Sequence, residues 1–346
     1  MRNGTLRISI IRRLALFLRS GIAIPEAISL IEEDATNAKV KAMLQTIRED
    51  VVRGQRLSMS VQQFERFFGT FASQLIAVGE MSGTLSDNLL RLTVVLEKQD
   101  ALRRKILSAL IYPIVILLGT LGIGLFLTLY VFPKLIPVFR GFHAKLPLPT
   151  QILIAIHDGL VHWWFVYVGI VIAVIGISIF LLRKPVIVQK VERLLFLLPL
   201  IGSIIRTYTL AQVFRTLATL LGSGVRISPA LIMLRESMHV RVYRDAFDST
   251  ERGVLAGRRL SGELKEFPTL FPTISVQLIA AGELTGTLAE NIATLADTYD
   301  EELSSLTQNL TVLIEPILMI TMGLVVGFIA LAIITPIYTL TQNLKP

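Results

Sequence analysis

Two glutamates in a repeated glycine-rich motif are the residues of this sequence best placed to do chemistry. The motif residues are Gly79, Glu80 and Gly83 in GEMSGTL, and Gly282, Glu283 and Gly286 in GELTGTL. Paired carboxylates could act as acid and base or present a charged surface to a partner protein. The alternative is geometric: the glycines permit a tight turn between two helices, and the glutamates cap or pair locally.

A third acid lies at the edge of a long apolar run, where Glu315 precedes Pro316. The position 203 residues earlier is Tyr112, which precedes Pro113. A carboxylate at membrane depth is costly and indicates function, whereas one at the interface is simply hydrated. Because proline removes a helix hydrogen bond, Pro113 and Pro316 either bend the apolar helices, shaping a groove for another membrane helix, or end them near the interface.

Other catalytic or metal-binding arrangements are missing from the sequence. It has no cysteine, hence no thiolate nucleophile and no cysteine-based metal site, and no glycine-rich phosphate loop. His157 and His162 are spaced poorly for binding one metal ion from one helical face. A membrane enzyme using Glu80 and Glu283 would need a substrate pocket that the sequence does not indicate. We expect no enzymatic activity, no metal and no cofactor.

The elements that carry these residues are duplicated. The sequence matches itself at a constant separation of 203 residues without an insertion, which indicates a repeated structural unit. The matching pairs include Ser20-Gly21 with Ser223-Gly224, Gly54 with Gly257, Pro113 with Pro316 and Pro133 with Pro336. Within each repeat, apolar residues recur every three or four positions, which predicts amphipathic helices.

Three long runs without charged residues predict three membrane spans. The chain is 53% hydrophobic and 17% charged, which is more apolar than an ordinary soluble protein. Within the third span, Gly323 and Gly327 have the spacing that lets membrane helices approach closely, either within one chain or between chains.

Basic residues predict the orientation of the spans. Residues 1–105 contain 16 Lys and Arg, residues 134–163 contain 3, residues 183–311 contain 14 and the tail contains 1. Since basic segments stay in the cytoplasm, both large pieces are expected there. The net charge of +8 reflects this bias and gives no reason to expect nucleic acid binding.

The predicted fold is therefore all-α: a polytopic membrane protein with two tandem homologous cytoplasmic helical-bundle domains and three transmembrane helices. The predicted order is a first cytoplasmic domain (1–105), a first span (106–133), an external connection (134–162), a second span (163–182), a second cytoplasmic domain (183–311), a third span (312–338) and an external tail (339–346).

This pattern resembles one protein family. Two helical cytoplasmic domains carry Ser-Gly near the start and Gly-Glu-x-[Ser/Thr]-Gly-x-Leu near the end, followed by Tyr-Pro or Glu-Pro at a span. The pattern is similar to the inner-membrane platform protein shared by type II secretion systems, where it is component F, and type IV pili. Many members carry an additional N-terminal stretch before the first domain; starting almost directly at that domain is expected of a shorter, pilus-type variant.

The resemblance implies a multi-pass protein of the bacterial inner membrane with a cytoplasmic N-terminus. Its implied partners are a hexameric cytoplasmic ATPase, prepilins or pseudopilins, other inner-membrane assembly proteins and further copies of itself. The alternative function is a small transporter or channel with parallel repeats. That function needs polar groups along the spans, and beyond Glu315 these are a few threonines such as Thr120, Thr128 and Thr321.

Overall fold

The computed structural model of the chain describes residues 3–134, 137, 147–182, 199–238 and 240–343. It is 87% helical, and no strand occurs in the part it describes, which confirms the all-α prediction. Parts of four predicted segments lie outside the described residues: residues 1–2 of the first cytoplasmic domain, residues 135–136 and 138–146 of the external connection, residues 183–198 and 239 of the second cytoplasmic domain, and residues 344–346 of the tail. The chain divides into two compact units, Met1–Arg104 with Val191–Ser305 and Lys105–Lys190 with Leu306–Pro346.

The first repeat contributes seven helices within residues 3–126. They are α1 (Asn3–Arg19), α2 (Ile24–Glu33), α3 (Ala38–Val52), α4 (Leu57–Gln63), α5 (Glu65–Phe68), α6 (Thr70–Ser82) and α7 (Leu85–Phe126). Local sequence explains their limits. Pro25 lies in the first turn of α2, where its missing N–H costs nothing. The side chain of Asn37 accepts hydrogen bonds from two backbone N–H groups at the start of α3, as N-cap residues do.

Two helices follow the first repeat, α8 (Leu148–His162) and α9 (Trp164–Leu182). The second repeat then has the helices of the first in the same order, except that the short α5 has no helical counterpart. They are α10 (Pro199–Gly222), α11 (Ile227–Ser237), α12 (Arg241–Leu255), α13 (Leu260–Lys265), α14 (Thr273–Thr285) and α15 (Leu288–Asn343). Three turns in each repeat use glycine in the left-handed region, which other residues rarely adopt. These glycines form three pairs 203 residues apart: Gly21 and Gly224, Gly54 and Gly257, and Gly83 and Gly286.

The soluble parts of the two repeats share one hydrophobic core within the first compact unit. Helix α11 of the second repeat packs against α6 of the first. Fully buried residues of the common core come from both repeats and include Ile11, Leu75, Leu89, Leu231 and Phe247. The two repeats therefore stabilise each other by burying apolar surface together.

Most of the apolar helical length lies in the second compact unit, which begins at Lys105 and, in the second repeat, at Leu306. Two helical segments, Ile111–Lys134 and Leu288–Pro336, are long and apolar enough to cross a membrane. A third span is possible if Leu148–His162 and Trp164–Val174, which meet at a bend of 79°, form one broken span. The predicted external connection thus contains α8. The predicted second span (163–182) coincides with α9 except for its first residue.

Candidate functional site

The two motif glutamates cap helices that begin 23 residues earlier in the chain. Glu80 on α6 accepts hydrogen bonds from the backbone N–H groups of Leu57 (2.5 Å) and Ser58 (3.0 Å), the first residues of α4. The first N–H groups of a helix have no partner inside the helix, and a carboxylate there also complements the helix dipole. Arg56, the residue before α4, gives no side-chain cap, so Glu80 supplies it.

The second repeat builds the same cap. Glu283 on α14 accepts from the backbone N–H groups of Leu260 (2.6 Å) and Ser261 (3.3 Å) at the start of α13. The hydroxyl of Ser261 also donates to it at 2.5 Å. Both glutamates are half-buried, so their oxygens are used inside the fold.

The first glycine of each motif lets two helices touch. A Cβ atom on Gly79 would lie 2.8 Å from the Cα atom of Leu85, and one on Gly282 would lie 2.9 Å from the Cα atom of Leu288. Such contacts are too short for any side chain, since backbone cannot move aside as a flexible side chain does. Gly79 and Gly282 therefore allow α7 and α15 to begin in direct contact with α6 and α14.

The last glycine of each motif reverses the chain between those helices. Gly83 and Gly286 have φ angles of 72° and 77°, in the left-handed region that glycine adopts without strain. Together, the motif residues form the joint between α6 and α7 in the first repeat and between α14 and α15 in the second. Sequence reasoning missed the residues of the motif that do face outwards: the side chain of Met81 is 78% exposed, and that of Leu284 is 69% exposed.

An ion pair is also duplicated, with different burial in the two repeats. Arg12 pairs with Glu97, and Arg215 pairs with Asp300. The first pair is partly exposed, whereas the Arg215 side chain is only 10% exposed. Burial lowers the pKa of Arg215, while Tyr208 and Asp297 act in the opposite direction. In addition, Lys98 of the first repeat bonds to Asp297 of the second at 2.9 Å.

Within the second compact unit, α8 supplies a hydrogen bond to a helix carbonyl that proline leaves without a donor. Pro336 lies inside α15 and has no N–H for the carbonyl of Ala332, four residues earlier. The hydroxyl of Thr150 donates to that carbonyl at 2.7 Å. Thr150 and Ala332 are both fully buried.

In the first repeat, a histidine of α8 is placed to donate to a helix carbonyl that a proline leaves without a donor. Residues Leu127–Val131 form a π-helix, in which the N–H of Phe132 bonds to the carbonyl of Leu127. In a π-helix each carbonyl accepts from the N–H five residues later. The carbonyl of Thr128 would therefore need the N–H of residue 133, but that residue is Pro133, which has none. Nδ1 of His157 lies 3.1 Å from that carbonyl. Because a carbonyl only accepts, the ring hydrogen is on Nδ1. Helix α8 thus holds both proline-bearing segments.

The remaining predicted residues lie on continuous helices. Pro113 lies within α7 and Pro316 within α15, and both helices run through them. The side chain of Glu315 is exposed. Apart from the nearby backbone of α15 itself, no atom of the described chain lies within 4 Å of a Cβ placed on Gly323 or Gly327, so these two glycines do not contact another described helix.

Comparison with known proteins agrees with the duplication. The family model "Type II secretion system (T2SS), protein F" matches twice, over residues 10–133 and 213–336, and the two matches are again 203 residues apart. A type 4 fimbrial assembly protein PilC of Pseudomonas putida is 32% identical over 331 residues, covering 95% of this chain and 82% of that protein. A type II secretion system protein F of Pseudomonas aeruginosa is 32% identical over 332 residues, covering 96% and 82%. With a duplicated match over most of its length, the chain belongs to the type II secretion system protein F family.

Proposed function

We propose that this chain is the inner-membrane platform protein of a type II secretion or type IV pilus machine. It couples a cytoplasmic hexameric ATPase to the assembly of pilin or pseudopilin subunits into a filament. The observation that carries the proposal is the family match in both repeats, together with relatives named for type IV pilus assembly and for type II secretion. The proposed role is mechanical and not enzymatic.

The proposed topology places residues 1–105 and 183–311 in the cytoplasm and residues 134–162 and 339–346 outside. The excess of Lys and Arg in the two large segments supports this orientation. The common core of the two repeats supports it too, because segments that pack together must lie on the same side of the membrane. The N-terminus is then cytoplasmic.

Exposed apolar residues at the motif offer a contact surface for the ATPase. Met81 and Leu284 occupy equivalent positions and both are largely exposed, whereas the neighbouring glutamates are used in helix caps. Single exposed apolar side chains are common on protein surfaces; what supports Met81 and Leu284 as the contact is their position beside the turns that lead into α7 and α15. A push on this surface would pass through the joint behind it into α7 and α15.

Affinity purification of the tagged protein from gently solubilised native membranes tests the partners. We expect mass spectrometry to identify a hexameric ATPase and prepilin-like proteins. Crosslinks between the ATPase and the soluble repeats should change with the bound nucleotide. Recovery of the protein alone, under conditions that preserve other membrane complexes, would contradict the proposal.

A matched pair of double variants tests the surface. Met81→Ala with Leu284→Ala should reduce recovery of the ATPase at an unchanged level of the platform protein. The control is Val52→Ala with Leu255→Ala, which removes another equivalent pair, each 64% exposed. Equal recovery from both double variants would exclude Met81 and Leu284 from the ATPase contact.

A further inference from the structure

One contact between the two repeats provides a template for a contact between chains. On α6 of the first repeat, Nε2 of Gln74 donates a hydrogen bond to Oε2 of Glu236, on α11 of the second repeat, at 2.7 Å. The two helices pack against each other, and this bond lies at an exposed part of their contact. The contact is heterologous, because one face of the first repeat meets a different face of the second.

Each side of this contact has an equivalent in the other repeat, and these two equivalents do not contact each other within the chain. The residue equivalent to Gln74 is Gln277 on α14, and the residue equivalent to Glu236 is Glu33 on α2. Both side chains are exposed. Neither makes a hydrogen bond or an ion pair with another residue in the part of the chain that the structure describes. The neighbouring acids Glu32 and Asp34 are instead paired with arginines of their own repeat.

Apolar residues around the two unpaired side chains are exposed where their equivalents are covered. Phe71 on α6 is half-buried, while its equivalent Ile274 on α14 is 64% exposed. Met233 on α11 is half-buried, while its equivalent Leu30 on α2 is 41% exposed. Burying such apolar side chains is the main driving force for association.

The face of α14 that carries Gln277 also has a groove and a positive charge that suit the acidic end of a helix. It borders a groove of about 530 Å³ lined by Phe271, Val276, Gln277 and Lys265, among others. Lys265 is exposed, and its equivalent in the first repeat is the uncharged Gln62. A lysine beside the groove complements the unpaired carboxylate of Glu33.

We propose that α14 of one chain binds α2 of a second copy of the chain, with Glu33 of one copy against Gln277 and Lys265 of the other. The contact repeats between chains the packing that α11 and α6 already make within one chain. Heterologous contacts of this kind close into rings when the rotation permits. The chain then assembles head to tail through alternating first and second repeats. This inference rests on the internal duplication and stands independently of the proposed secretion role.

Crosslinking in native membranes tests the contact directly, since the chain has no cysteine of its own. Two full-length copies with different tags are produced together, one carrying Glu33→Cys and the other Gln277→Cys. They are treated with a short bis-maleimide, because two long side chains keep the backbones farther apart than the ~7 Å limit for a disulfide. We expect a product that carries both tags.

Two controls make the result decisive. Gln74→Cys with Glu236→Cys in one chain should crosslink within that chain, which shows that the reagent spans the template contact. Replacing Gln277→Cys by Leu255→Cys, on α12 and 64% exposed, should abolish the two-tag product. The proposal is overturned if the template pair reacts but Glu33→Cys and Gln277→Cys give no two-tag product, or if Gln277→Cys reacts only with another protein.

Charge exchange gives a second, independent measurement. Glu33→Lys would place like charges together at the contact and should lower the oligomeric mass of the purified protein. Adding Lys265→Glu should restore it. An oligomeric mass that is unchanged in Glu33→Lys would contradict the proposed contact.

Discussion

Replacing Glu80 by alanine removes the carboxylate that caps α4. Its two oxygens accept from the N–H groups of Leu57 and Ser58 at 2.5 and 3.0 Å. Without them, both donors remain at a buried helix start, with no replacement from Arg56, which gives no side-chain cap. We therefore expect the beginning of α4 to open locally while the rest of the repeat stays folded.

The size of the effect follows from the number and kind of bonds lost. Loss of an N-cap side chain costs about 0.5–2 kcal/mol, and hydrogen bonds to a charged group lie at the upper end of such values. With two bonds lost, we expect about 2 kcal/mol in the free energy of local opening. This corresponds to amide exchange about 30-fold faster. Glu80→Gln keeps one acceptor oxygen and should have about half the effect in free energy.

Hydrogen–deuterium exchange with mass spectrometry on the purified full chain measures this opening. Peptides covering Leu57–Gln63 should exchange faster in Glu80→Ala. The duplicated motif supplies a matched control: Glu283→Ala should accelerate exchange at Leu260–Lys265 and leave the first segment unchanged. Met81→Ala, beside Glu80 and 78% exposed, should change neither segment, as is usual for surface substitutions.

Unchanged exchange at Leu57 and Ser58 in Glu80→Ala would refute the capping role. If that variant also accumulated normally but lost filament assembly, the carboxylate would instead belong to a partner-facing surface. Lower protein abundance together with faster exchange would support the structural role.

Four further substitutions test other parts of the fold, each measured as the fraction of solubilised protein that remains monodisperse after heating. Gly282→Ala places a Cβ 2.9 Å from the Cα atom of Leu288 and should destabilise the joint by about 1–3 kcal/mol; an unchanged melting profile would contradict the close approach. Thr150→Val keeps the shape of the side chain but leaves a buried helix carbonyl without its donor, at a cost of about 1–3 kcal/mol; equal stability would mean that the carbonyl has another partner. Arg215→Ala breaks a largely buried ion pair and should cost about 3 kcal/mol, whereas Arg12→Ala at the equivalent, more exposed pair should cost less than about 1 kcal/mol. Equal losses of stability in Arg215→Ala and Arg12→Ala would contradict the idea that burial makes the Arg215 ion pair the more important one.

The sequence alone determined the features that depend on local order along the chain. Apolar spacing predicted helices throughout, and the long uncharged runs predicted where the apolar segments lie, since both follow from burying one face or a whole helix. The constant separation of 203 residues predicted the duplication that the family match confirms. Gly83 and Gly286 were predictable as turn residues, because a left-handed backbone conformation restricts the residue type at that single position.

The tertiary structure decided which groups become partners across the chain. Glu80 could have faced a partner protein or capped a helix, and only the packing of α6 beside the start of α4 selects the cap. Thr150 gives no sequence signal for its acceptor, Ala332, 182 residues away. Likewise, Gln74 and Gln277 occupy equivalent positions, but only Gln74 has a partner. The reason is that the other repeat covers α6 and does not cover α14. Hydrogen bonds act over about 3 Å, so their partners are set by how helices pack and not by residue type alone.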